Sequence, residues 1–137
     1  MSDIKSFAVA QTGRLHLRDA GDALMYFDGD ASKPIAVNVY SPGSKQYAKA
    51  QAAQQNRLID KLKRKGASEQ TAEQMAVEKA DFLCDCTESF ENLDYDGLTG
   101  AKLFRAVYSD ITIGFIADQV TKFIGDWSNF TKASTMN

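Results

Sequence analysis

A strand passes into a helix at Val37-Asn38-Val39-Tyr40-Ser41-Pro42-Gly43-Ser44, and this stretch decides the fold. Apolar and polar residues alternate up to Tyr40, which is typical of a half-buried strand. Pro42 and Gly43 end the strand, because proline lacks an N–H for the sheet and glycine permits turn conformations. Ser44 is a good helix N-cap. Residues 45–65 lack glycine and proline and are rich in Ala, Gln, Lys and Arg, so we expect a helix there.

Two further short strands are predicted before this stretch. The alternation at residues 14–17 places Leu15 and Leu17 on one face, and residues 24–27 are apolar between two turns. Together with residues 35–40 they predict an antiparallel meander, which needs a helix on one face to be stable.

Three more helices are predicted in the second half of the chain. One begins near Ser68 or Thr71 and has an inward face that recurs at helical spacing. That face consists of Met75, Phe82, Cys86, Phe90 and Leu93. The next helix covers residues 101–108, and the last is capped by Asp110 and runs to about Trp127. The fold class is therefore α+β and mostly helical, with a small N-terminal antiparallel sheet followed by about four helices.

Length and composition indicate one domain over residues 1–137. The chain has 44% apolar and 25% charged residues, which is ordinary for a globular protein. Its expected parts are a weakly ordered lead-in at 1–12, a β-unit at 13–40, a helical part at 45–130 and a flexible tail at 131–137.

Cysteine use and hydropathy point to the cytoplasm. Cys84 and Cys86 are two apart in a helical pattern, where a disulfide is sterically poor, so we expect reduced thiols. We expect no signal peptide, and no apolar run approaches the length of a membrane span.

Charge is sorted along the chain. Residues 45–65 contain seven Lys or Arg against one acid, whereas residues 66–100 contain nine Asp or Glu against one base. Two interpretations remain open: helix faces that attract each other across a hairpin, or a bipolar surface that steers subunits together. The net charge of −2 argues against a general nucleic-acid binder. Lys61 and Arg64 remain candidate contacts with a partner.

The sequence contains no recognisable set of catalytic, metal-binding or cofactor-binding residues. Residues 94–97 are like the middle of a calcium loop, but Leu103 stands where the bidentate glutamate belongs. The two cysteines and His16 are too few for zinc, and His16 has no nucleophile motif beside it. We therefore expect a protein that is not an enzyme and needs no metal or cofactor.

The most apolar part of the chain is residues 111–130. Phe123, Trp127 and Phe130 are three or four residues apart, so on one helix they share a side. Two interpretations are open: a core helix, or an exposed aromatic cluster that binds an amphipathic partner helix or a second copy of the chain.

Two segments resemble tail assembly chaperones of long-tailed phages. The stretch from Val37 to Tyr47 is similar to the N-terminal part of those proteins. Tyr108-Ser109-Asp110, Phe115-Ile116-Ala117-Asp118-Gln119-Val120 and Asn129-Phe130 are similar to their closing helix. The resemblance implies a small, mostly helical, non-enzymatic protein of the bacterial host cytoplasm. It also implies binding to the tape-measure protein, recruitment of tail-tube subunits, and correspondence to the short form where frameshifting makes a longer product.

Three functions follow as hypotheses. The first is a phage or prophage tail assembly chaperone that binds the tape-measure protein. In one form of this hypothesis the chaperone also self-associates. The second is a structural tail or connector protein that stays in the particle. The third is a small nucleic-acid-binding regulator that uses residues 45–65, which salt-dependent DNA binding would support.

Overall fold

The computed structural model describes residues 3–65 and 72–132. Within these ranges the chain forms a three-stranded antiparallel sheet and four α-helices, which confirms the predicted α+β class. In chain order the elements are β1 (Thr12–His16), β2 (Ala36–Tyr40), α1 (Lys45–Lys65), α2 (Ala72–Cys86), β3 (Thr87–Glu91), α3 (Gly100–Ser109) and α4 (Gly114–Ile124). The predicted start of the second helix near Ser68 or Thr71, and positions 133–137 of the predicted tail, lie outside the described residues.

The junction between β2 and α1 is formed as predicted. Ser44 Oγ accepts a hydrogen bond from the Tyr47 N–H at 3.1 Å and donates one to the Ser41 carbonyl at 2.7 Å. Ser41 Oγ accepts the Gly43 N–H at 3.2 Å. A Cβ on Gly43 would lie 2.7 Å from Val9 Cγ2, so the turn also requires a residue without a side chain. The bond from Tyr47 satisfies one of the first free amides of α1, and the bonds around Ser41 hold the turn between strand and helix.

The sheet has the order β1-β2-β3, with the decisive strand β2 in the centre. Thr12 pairs with Tyr40 and His16 with Ala36, and a bulge between Asn38 and Val39 interrupts the pairing of β2 with β3. The predicted strand at 24–27 is wrong, because Leu24 and Tyr26 form only isolated bridges. The third strand of the sheet comes instead from residues between α2 and α3.

The second helix is shorter than predicted. It ends at Cys86, and Thr87 begins β3 without an intervening loop. The Thr87 hydroxyl donates to the Leu83 carbonyl at 2.8 Å, and its oxygen therefore accepts from the Tyr108 hydroxyl at 2.6 Å. The free edge of β2 recruits the chain as a strand, and this pairing overrides the helical spacing that continues to Leu93.

The inward face of α2 is also corrected. Ala80, Leu83 and Cys86 are buried, whereas Met75, predicted to face inward, is exposed. Phe82 is half-buried and its ring meets that of Tyr47 edge-on, with 5.8 Å between centroids. The face that packs on the core is thus rotated from the predicted one toward smaller side chains.

The last helix is divided into three pieces. Asp110 caps the short 3₁₀ helix Ile111–Ile113, through the Thr112 N–H, rather than α4 itself. After α4 ends at Ile124, a 3₁₀ helix covers Trp127–Phe130. The core lies between the sheet, α2, α3 and α4. Its most deeply buried side chains are Leu17, Val37, Val39, Leu83, Cys86, Val107, Val120 and Phe130.

Candidate partner-binding surface

The helices α1 and α2 form an antiparallel hairpin whose inner and outer halves differ in chemistry. In the half of α1 nearer the sheet, Ala50 is buried. In its outer half, Arg57 lies 4.0 Å from Asp81 and 3.8 Å from Asp85 of α2. The 21 residues of α1 make it about 31 Å long, at 1.5 Å per residue. Its outer half is therefore held to α2 by charged groups.

Oppositely charged side chains join the hairpin, as one interpretation of the sorted charges predicted. Lys61 forms an ion pair with Glu78, and Asp81 is shared between Arg57 and Arg105. The Arg105 guanidinium is the nearer, at 2.5 Å from the Asp81 carboxylate. The basic and acidic segments thus neutralise each other partly within one chain.

The Arg57 side chain is incompletely satisfied in this interface. Its Nε and one terminal nitrogen, Nη2, are buried and have no hydrogen-bond acceptor among the described residues. A cavity of about 280 Å³ lies beside it, lined by Arg57, Asp60, Lys61 and Arg64. Because buried donors without acceptors cost free energy, Arg57 stabilises the hairpin less than a fully hydrogen-bonded arginine would.

One side of the hairpin exposes apolar side chains in a row. Tyr47 and Phe82 touch on this side near the sheet. Leu58 is eleven residues after Tyr47, which is close to three helical turns. Met75 is seven residues before Phe82, which is close to two turns. Both therefore lie on the same side, further out, and Leu62 is one turn beyond Leu58. Leu62 is 60% exposed and Met75 57% exposed.

We call Leu58, Leu62 and Met75 the hairpin flank. An exposed apolar row of this kind is unfavourable in water and is a candidate for a surface that a partner covers. Sequence reasoning missed it because Met75 was assigned to the core. The signal was present in the spacing of Leu58 and Leu62, four residues apart on a helix with few other large apolar residues.

The aromatic residues at the C-terminal end do not share one exposed side. Phe130 is 0% exposed, whereas Trp127 is 56% exposed. Phe123 is half-buried and its ring lies 5.2 Å from that of Phe130, edge-on. The predicted common side required a continuous helix, but α4 ends at Ile124, so Phe130 turns into the core. Of the three, Trp127 alone remains largely accessible.

The two basic candidates also have different surroundings. Lys61 is half-buried and paired with Glu78, while Arg64 is exposed at the end of α1. Lys61 is therefore part of the hairpin's internal contacts rather than a separate basic patch.

The two cysteines are not activated as nucleophiles. Burial raises the pKa of Cys84 to about 11 and that of Cys86 to about 12, so both thiols are protonated at neutral pH. The His16 Nε2 lies 2.9 Å from the Met25 carbonyl oxygen and the ring packs on Tyr26. Asp94 accepts the Gly97 N–H at 3.1 Å and closes a turn. Within residues 3–65 and 72–132, no three His, Cys, Asp or Glu side chains are grouped to hold a metal.

Comparisons of the chain with protein-family models, with curated proteins and with solved structures found no match. In the described part of the chain, none of the helices has the length and apolar character needed to cross a membrane.

Proposed function

We propose that this protein is a phage tail assembly chaperone that acts without enzymatic activity in the cytoplasm of the bacterial host. The observation that carries the proposal is the hairpin flank, an apolar surface on a helical hairpin joined by charges. The resemblance of residues 37–47 and of segments between Tyr108 and Phe130 to that family supports it. The partner would be the tape-measure protein, and the bound chaperone would help to recruit tail-tube subunits.

The mechanism that we propose is reversible covering of apolar surface on a tape-measure helix. An amphipathic helix of the partner, lying along the hairpin, would bury Leu58, Leu62 and Met75. Each of them would pack against an apolar residue of the partner helix. The flexible thioether of Met75 adapts to different neighbours, which suits a partner with many similar helical segments. Self-association through the same surface is the competing use of the flank.

The test is co-expression with the tape-measure protein and measurement of binding. The double variant Leu58→Gln and Leu62→Gln should weaken binding at least about tenfold, because each buried leucine contributes about 1.5–3 kcal/mol. Ile111→Gln is the matched control, since Ile111 is 84% exposed on another part of the molecule. Binding that is unchanged in the double variant, or equally weakened in the control, would contradict the assignment of the flank.

The two alternative functions give different results. A structural tail or connector protein would be recovered from purified virions, whereas an assembly chaperone would be missing from them. A nucleic-acid-binding regulator would need the basic side chains of α1, but Arg57 and Lys61 are paired with α2. Salt-dependent DNA binding that is lost on changing Lys63 and Arg64 would favour the regulator instead.

A further inference from the structure

The strand β1 has a free edge. Leu17 donates its N–H to the Ile35 carbonyl at 2.9 Å, and Ser41 donates to the Gln11 carbonyl at 2.9 Å. Odd-numbered residues of β1 therefore bond to β2. Because successive residues of a strand direct their backbone groups to opposite sides, the N–H and C=O of even-numbered residues point away from the sheet.

Both ends of this edge are satisfied within the chain. The Ala10 N–H donates to the Phe130 carbonyl at 2.7 Å. At Arg18, the Gln119 side-chain amide accepts the N–H at 2.8 Å and donates to the carbonyl at 2.7 Å, as a neighbouring strand would. Between these points, the outward groups of Thr12, Arg14 and His16 have no hydrogen-bond partner among the described residues.

A cleft of about 520 Å³ runs beside this edge, within the usual size range of ligand sites. Leu15 and His16 both line it, although neighbouring side chains in a strand point to opposite faces. The cleft must therefore pass the edge of β1 rather than cover one face of the sheet. Its other wall comes from α4 and the turn after it, including Lys122, Phe123 and Asn129.

We propose that the edge of β1 binds an extended segment of another protein, which adds to the sheet as a fourth strand. Three residues with outward N–H and C=O groups supply the main-chain bonds of such an addition. This surface is separate from the hairpin flank, and the proposal does not depend on binding of the tape-measure protein.

The side chains of the cleft specify the chemistry of the segment. Leu15 and Phe123 offer a partly buried apolar floor, which suits an apolar residue. Arg18 already bonds to the Asp22 carbonyl, and Asp126 to Ser128, whereas the Lys122 ammonium has no acidic partner in the described chain. An extended segment with an apolar residue and an acidic residue beside it fits this arrangement.

A second copy of the chain fits this edge less well. Two identical antiparallel edges that offer residues 12, 14 and 16 would pair about Arg14, so that the two Arg14 side chains would face each other. Like charges directly opposite each other destabilise a strand pair. The wall formed by α4 also stands beside the edge.

The test uses the full-length protein and a displayed library of random twelve-residue peptides. Selected peptides should bind His16→Pro at least tenfold more weakly than His16→Ala, which lacks the same side chain but keeps the backbone N–H. Proline removes the outward N–H yet leaves the β1–β2 bonds intact, since it replaces a residue whose amide faces away from β2. Arg14→Pro and Arg14→Ala form a second matched pair if His16→Pro fails to fold.

Two further measurements locate the bound peptide. Amide hydrogens of Thr12, Arg14 and His16 should exchange rapidly in the free protein and slowly in the complex. When the library is selected for binding to the Lys122→Glu variant, the recovered peptides should contain basic residues where those selected on the parent protein contain acidic ones. The proposal is overturned if no peptide is recovered, if proline and alanine variants bind equally, or if these amides are already protected in the free protein. Protection that rises with protein concentration would assign the edge to a second copy instead.

Discussion

Two regions of this molecule are held together by different forces. Around the sheet, side chains such as Val37, Leu83 and Phe130 are removed from water and pack against one another. In the outer half of the α1–α2 hairpin, charged side chains lie between the helices while Leu62 and Met75 face solvent. The apolar residues are thus inside in one region and outside in the other.

The difference predicts that the two regions contribute unequally to stability. A fully buried Leu, Val or Phe side chain contributes about 1.5–3 kcal/mol, whereas an exposed ion pair contributes about 0–1 kcal/mol. The outer hairpin is therefore expected to open more easily than the core, which is typical of regions that bind partners. Four predictions test this comparison.

The largest effect is expected at Phe130. Phe130→Ala should cost about 3–5 kcal/mol in chemical denaturation, because it empties a fully buried site beside Phe123. Trp127→Ala, three residues earlier, should cost less than about 1 kcal/mol, because Trp127 is largely exposed. Similar losses of stability in the two variants would show that Phe130 and Trp127 do not differ in burial as described.

A smaller loss is expected when the core is overfilled at Gly13. A Cβ there would lie 2.6 Å from Phe130 Cε1, so Gly13→Ala should cost about 1–3 kcal/mol. Gly114→Ala is the control, and it should raise stability instead of lowering it. No neighbouring atom lies within 4 Å of the added Cβ, and the backbone of Gly114 is helical, so the free energy of unfolding should rise by about 0.4–1 kcal/mol. Thermal or denaturant unfolding of both variants measures this difference.

In the outer hairpin, removing a charge should cost little. Arg57→Met should leave stability unchanged or raise it by up to about 1 kcal/mol, because buried donors without acceptors are replaced by an apolar chain. Arg105→Met is the comparison, since it removes the near partner of Asp81 and should destabilise by about 1 kcal/mol. A large loss in Arg57→Met alone would mean that charges hold the hairpin as strongly as the core holds the sheet.

The smallest effect concerns Glu91 and pH. Hydrogen bonds from Arg14 hold the pKa of the Glu91 carboxyl below its ordinary value of 4.5, with a further one from Asn38. This contribution is fully present above about pH 4.5 and is lost as the pH falls through the lowered pKa. Both side chains are partly exposed, so we expect less than about 1 kcal/mol.

Glu91→Gln isolates that contribution from other acids with lowered pKa values, such as Asp110 and Asp126. The parent protein should be more stable than the variant at pH 7, and the difference should shrink toward pH 3. A difference in stability that stays constant over this pH range would show that ionised Glu91 does not stabilise the fold.

Local signals in the sequence were sufficient for the parts of the fold that local chemistry controls. Pro42, Gly43 and Ser44 end a strand and begin a helix through bonds within a few residues of each other. The helix at Lys45–Lys65 and the one at Gly100–Ser109 follow from composition and spacing in the same way. The sorted charges also indicated which two helices would pair.

The candidate site was predicted less well, because exposure depends on elements that are distant in sequence. Met75 carries no local mark of being exposed, and its position depends on how α2 is rotated against the core. Phe130 has the spacing of a helical side shared with Trp127, but the break after Ile124 turns its ring inward.

The sequence by itself determined the α+β class, the β2–α1 junction and, from the alternation at residues 14–17, the strand found at Thr12–His16, since each depends on neighbours along the chain. Tertiary structure alone decided that Thr87–Glu91 is a strand rather than the end of a helix, because the free edge of β2 offers hydrogen bonds that no local pattern reveals. It also decided that β1 keeps an open edge, because Phe130 and Gln119 satisfy only the two ends of that strand.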